Sequence, residues 1–148
     1  MVINLTKQAQ NLINDPIAFK ALATISSEGA VDLIPVGSMN APDSDTIVFA
    51  AILENLKATH ENLKKAMEKG ELVSVLVGKS TEKGVTSGFQ AKCKVINFDT
   101  SILGPFYLGM RTSAKKMGYE TSEIQGAWVL EPEEVIDQPL EPKVPKTT

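Results

Sequence analysis

Lys57 and Thr59 stand in the segment Leu53-Glu-Asn-Leu-Lys-Ala-Thr59-His60, where a β-branched run ends and a helical pattern begins. A lysine and a hydroxyl residue at a helix amino terminus suit a phosphate, because the first-turn N–H groups are unpaired and the helix dipole is positive there. The plainer reading is that Asn55 or Thr59 only caps the helix and Lys57 is a solvated charge. Elsewhere, ligand chemistry is scarce. The single histidine, His60, and the single cysteine, Cys93, cannot build a cluster of His and Cys metal ligands. Cys93 lies in an alternating strand-like run, where a thiol is more often buried than nucleophilic. No recognisable catalytic acid or base appears, so the sequence does not identify a substrate.

The elements that position these residues follow from periodicity. Leu5, Ala9, Leu12 and Ile13 recur at helical spacing until Asp15-Pro16, which predicts a helix over 4–14. Strands are expected from 17 to 25 and from 30 to 36, joined at Ser26-Ser-Glu-Gly29, where the glycine is free to take positive φ. Turn residues fill 40–45, and the apolar run 46–53 reads as a third strand. Leu56, Thr59, Leu63, Ala66 and Met67 share one face of a helix over 56–69 that Gly70 stops. Strands are expected over 72–77 and 85–98, then a helix over 106–118 and a last strand over 123–136 around Trp128. The expected architecture is α+β, mainly β. A single domain covers 1–137, with an extended tail over 138–148 that carries three prolines.

Composition narrows the class. At 148 residues the chain is one ordinary domain, and 43% hydrophobic with 22% charged residues is a globular balance. The 15 basic residues are interspersed among 18 acidic ones for a net charge of −3, which gives no electrostatic support for nucleic-acid binding. The amino-terminal stretch is broken by Lys7, Gln8, Gln10, Asn11 and Asn14 and lacks the apolar core of a signal peptide. No apolar run approaches the ~20 residues of a membrane span. A soluble, cytoplasmic protein is the expectation, and a lone cysteine agrees with a reducing compartment.

Four pieces taken in order carry a resemblance: Pro35-Val36-Gly37-Ser38, the apolar strand Ile47 to Leu53, Thr59-His-Glu-Asn62-Leu63, and Gly88-Phe89-Gln90. Together they span roughly 17–131 and resemble the pyridoxamine 5'-phosphate oxidase-like family of flavin mononucleotide (FMN) binding split barrels. The resemblance implies a six-stranded antiparallel split β-barrel with peripheral helices, working as a homodimer with the cofactor in a groove between subunits. It implies Lys57 and Thr59 for the phosphate, and Val36, Gly37, Ser38, Ala51, Ile52 and Leu53 near the ring or ribityl chain. Gln90 would reach the cofactor from the long strand, and Trp128 would either cover the flavin or lie in the core. The family often has Lys-Thr adjacent, whereas this chain has Ala58-Thr59 with the lysine one place earlier. The vitamin B6 reaction is not expected, because the one arginine is Arg111 and the tail has neither Arg nor His. The functional expectation is an FMN-binding oxidoreductase of unnamed substrate. The alternatives are a flavin carrier or electron-transfer protein, or a barrel that uses the deazaflavin F420 or has lost its cofactor.

Overall fold

The computed structural model describes residues 3–51, 56–80, 84, 86–101, 104–116, 118 and 120–137, so the tail over 138–148 lies outside the described residues. Its elements run α1 (Lys7–Ile13), β1 (Phe19–Ile25), β2 (Val31–Pro35), β3 (Asn40–Asp43), β4 (Thr46–Ala51), α2 (Lys57–Lys69), β5 (Leu72–Ser80), β6 (Thr86–Asp99), α3 (Pro105–Lys116), a 3-10 turn (Thr121–Glu123) and β7 (Gly126–Ile136). Among the described residues, no helix is long and apolar enough to cross a membrane.

The strands join one antiparallel sheet in the order β2-β1-β5-β6-β7-β4-β3. The sheet therefore has seven strands rather than the expected six, and it is not closed. The added strand is β3, whose sequence Asn-Ala-Pro-Asp reads as a turn. It survives as a strand only because it is short and at an edge, where Pro42 removes no needed ladder bond. Its pairing with β4 is correspondingly slight, Asn40 opposite Val48 and Asp43 opposite Thr46 with an irregularity between.

Although the edges β2 and β3 do not pair, the sheet is curled. α1 touches β3, β5 and β6, and a seven-residue helix is only about 10 Å long. In a flat sheet β3 and β5 would lie about 19 Å apart. α1 is fixed at both ends: the Thr6 hydroxyl accepts from Ala9 N–H at 3.2 Å, and Asn14 exchanges two hydrogen bonds with the backbone of Ala41, at 2.9 and 2.7 Å. That pair also satisfies part of the open β3 edge.

The inner face carries the main core, from Leu22 on β1 through Ile47, Val75, Val77, Phe89 and Val95 to Trp128 and Leu130. α2 packs on β6, β1 and β5. Asn62, buried in that seam, donates to the Thr24 hydroxyl at 3.1 Å and to the Asp32 carboxylate at 2.7 Å. Gly70 ends the helix at φ 70, as its place in the sequence predicts. On the outer face α3 covers β4 and β7 through Val48, Ala50, Tyr107, Met110, Ile124 and Val129. The outer face of β2, β1 and β5 has no such cover among the described residues, and Val31 (71%), Leu33 (67%), Leu76 (45%) and Ile25 (43%) are exposed there.

Candidate functional site

At one end of the sheet three segments meet. The loop after β2 is fixed by Val36, which is buried and donates its N–H to Lys20 O at 2.8 Å. Two residues on, the Ser38 hydroxyl accepts from Ala50 N–H at 2.9 Å, which ties 36–38 to the end of β4. Gly37 between them is exposed, with no atom within 4 Å of where a Cβ would stand. Ala51 ends β4, pairs with Gly126 and accepts from Gln125 N–H at 3.0 Å. Ile52, Leu53 and Asn55 lie outside the described residues.

α2 begins beside this corner. Its N-cap is Leu56, which provides no side-chain hydrogen bond, so this residue itself offers the first-turn amides no side-chain acceptor. Lys57 opens the helix, exposed and in no ion pair among the described residues. Thr59 is different: it is 5% exposed and faces inward, although the junction as a whole reads as an exposed one. With Phe49, Ala50, Leu56, His60 and Trp128 it lines a cavity of about 10 Å³, room for a single water. The cavity itself is too small for any larger group.

His60 gains a role that no sequence signal announced. Its ring packs edge-on against Phe98 at 5.1 Å and tilted against Trp128 at 5.2 Å, while Phe98 and Trp128 stack at 4.5 Å. The His60 Nδ1 atom is buried without a hydrogen-bond partner among the described residues. Burial lowers the His60 pKa; Glu61 opposes the shift and Lys64 adds to it. Trp128, at 2% exposure, belongs to the core. Lys20 is likewise silent in the sequence. It is 6% exposed, on the side of β1 that Ala18 and Leu22 turn to the core. Burial lowers its pKa, and Asp15 partly restores it.

Gln90 is elsewhere. It is exposed on β6, opposite Leu76 and Ile136, and lines a groove of about 640 Å³ with Ile17, Phe19, Gly78, Gly88 and Asp137. Eight residues of strand separate it from Phe98, about 26 Å. One chain thus ties Ser38 to the end of β4 and sets Thr59 beside Ala50 and Ala51, and it keeps Gln90 apart from them. Cys93 is fully buried, its thiol pushed up to about 12 by desolvation, which leaves it no nucleophilic use. Among the described residues no three His, Cys, Asp or Glu side chains are placed to hold a metal.

No family model matches the sequence, and no curated protein matches it. Solved structures do. An FMN-binding protein from Syntrophomonas wolfei superimposes with a TM-score of 0.71 at 14% identity, over 92% of this chain and 87% of that one. HupZ of Group A Streptococcus gives 0.67 at 15%, covering 88% and 91%. A putative pyridoxamine 5'-phosphate oxidase from Lactobacillus delbrueckii gives 0.59 at 17%, covering 90% and 93%. The chain has the pyridoxamine 5'-phosphate oxidase-like split-barrel fold. At these identities the likeness is one of fold, and the chemistry of this split barrel must be argued from its own two surfaces. They are the anion-ready start of α2 at one end and the apolar groove beside Gln90 at the other.

Proposed function

We propose that this split barrel is a flavoprotein that binds FMN as a homodimer, and that it is an oxidoreductase. The observation that carries the reading is the start of α2, where the N-cap Leu56 makes no side-chain hydrogen bond and Lys57 stands exposed, next to a turn that packs on the Ala50 held by Ser38. First-turn amides and one ammonium fit a single phosphate dianion. The buried Thr59 fixes this turn against the core, and the exposed backbone at Gly37 leaves room for a ring or sugar chain to lie close. The flavin, when bound, supplies the redox chemistry, and the protein orients it and shields it from water.

The dimer is supported by the distance between the two surfaces. Gln90 is too far to join the α2 corner of its own chain, but across a two-fold axis the Gln90 of a second copy can face it. The uncovered apolar strip over β2, β1 and β5 is the face a second copy would bury. A lone Lys57 also favours FMN over the deazaflavin F420, whose acidic tail needs more positive charge.

Calorimetric titration of the apo-protein with FMN and with riboflavin tests the reading. FMN should bind about tenfold or more tightly, as a charge-assisted phosphate contact requires. Equal affinities would remove the phosphate site from α2.

A further inference from the structure

The groove beside Gln90 has a bare floor. Phe19 pairs with Gly78, and Gly78 faces Gly88, so one row across β1, β5 and β6 holds a single exposed ring and two residues without side chains. Gly88 answers an internal need, since a Cβ there would come within 2.6 Å of the Val77 carbonyl oxygen. Gly78 answers none, because its nearest neighbour would be 3.8 Å from a Cβ, in ordinary contact. An unforced glycine inside a strand marks a place where a ligand or another backbone comes close. The row is two strand spacings wide, about 10 Å, and the groove's volume of about 640 Å³ falls in the range of small-molecule sites. Gln90 lies two residues along β6 on one side of the row, and Lys79 lies next along β5 on the other.

The Lys79 end is charged. The Asp15 carboxylate joins two lining residues of the groove, accepting from Ile17 N–H at 2.9 Å and from the Lys79 ammonium at 2.6 Å. The ammonium of Lys20 acts on the same carboxylate. Lys20 is 6% exposed, and its ammonium makes no hydrogen bond or ion pair among the described residues. Buried charges are ordinarily paired. Here two lysines share one carboxylate that Lys79 already holds, so the cluster carries one net positive charge. An anion at Lys79 completes the pairing.

We propose that this groove binds a flat aromatic monoanion, with its ring on the Phe19–Gly78–Gly88 row, its carboxylate on the Lys79 ammonium and Lys20 balancing the charge of Asp15. Ile17 and Phe19, 78% and 58% exposed, supply the apolar wall, and the Phe19 ring offers an aromatic ligand an offset-stacked or edge-on partner. The Gln90 amide, which both donates and accepts, meets a polar substituent at the far end of the ligand. An apolar body fixed by a few convergent polar groups is the usual build of a small-molecule site. The inference does not depend on flavin binding.

Two probes of one shape test it, 2-naphthoate and the neutral 2-naphthamide, each titrated into the full chain and followed by its own fluorescence. The carboxylate should bind about tenfold more tightly than the amide, as a charge-assisted contact requires. Lys79→Gln should remove that preference and Lys79→Arg should keep it. Gly78→Val puts a side chain on the bare row where a Cβ has room, and it should weaken both probes about tenfold or more with no loss of melting temperature. Equal affinities of the two probes in the native chain overturn the proposal, as does a preference that survives Lys79→Gln or binding that Gly78→Val leaves unchanged. Displacement of 2-naphthoate by FMN assigns the groove to the cofactor, and affinity that falls as protein concentration rises assigns it to a second copy. Either of those results also overturns it.

Discussion

His60 is neutral-favouring because its ring is packed between Phe98, Trp128 and the α2 turn, with Nδ1 buried and unpartnered among the described residues. Its folded pKa lies below the unfolded value of about 6.5, so the unfolded chain takes up the proton first as pH falls. The resulting stability is therefore fully present above about pH 6.5 and is lost as pH falls toward the folded pKa. Thermal melts of the apo-protein between about pH 7.5 and 5.5, roughly one pH unit either side of the unfolded pKa, should show a steeper loss of Tm than melts of His60→Phe. Parallel curves would show that the buried imidazole contributes nothing to the pH dependence. Lys57 and Thr59, paired as site residues by their sequence, separate once burial is known. Lys57→Ala should weaken FMN binding about tenfold with the apo melting point unchanged, because the side chain is exposed. Thr59→Ala, at 5% exposure, should lower the apo melting point as well, by about 1 kcal/mol of stability. An unchanged affinity in Lys57→Ala would place the phosphate elsewhere.

Between elements, the β5–β6 ladder holds the two facing glycines that frame the groove, and they answer differently to the same substitution. Gly88→Ala forces a methyl against the Val77 carbonyl, which is backbone and cannot swing away. It should destabilise the chain by about 1–3 kcal/mol. Gly78→Ala meets only ordinary contact and should be neutral or stabilise by up to about 1 kcal/mol, as alanine does over glycine in a strand. Urea midpoints of the two variants settle the matter; similar midpoints would contradict the local geometry. The Asn62 seam is of another kind. Its amide holds α2 to both β1 and β2 through Thr24 and Asp32, so the Asn62 in the Thr-His-Glu-Asn-Leu motif is a structural tie rather than a ligand.

For the whole molecule, the outer face is divided. α3 seals β4 and β7 with Tyr107 and Met110 at its centre, while Val31, Leu33, Ile25 and Leu76 stay open on β2, β1 and β5. If a second copy buries that strip, Leu33→Glu, at an exposed position outside the core, should convert the dimer to a monomer and remove FMN binding together. Sedimentation velocity and flavin absorbance on the same sample measure both. A monomeric Leu33→Glu protein that keeps full FMN affinity would show that one chain suffices, and a dimeric variant would move the interface off this face.

The sequence by itself determined the elements whose signals are local. The helical face of 56–69 with its Gly70 stop, the alternation of β1, the long apolar run of β4 and the order of the four motifs all depend on neighbours within a few residues. That order is also enough for the split-barrel fold. Tertiary structure decided what depends on partners far along the chain. β3 exists because α1 and β4 bracket it, through Asn14 and Val48, and nothing in Asn-Ala-Pro-Asp forecasts it. Thr59 and Lys57 share one motif, and the packing of the α2 face that carries Thr59 with Leu63 and Ala66 buries the first and leaves the second in solvent. His60 meets Phe98 and Trp128 only because β6 and β7 pair there. Gln90 belongs by motif order to the same site as Lys57, and the register of a 14-residue strand carries it to the far end of the sheet. Burial, register and strand order are sums over long-range contacts, and no window of sequence contains them.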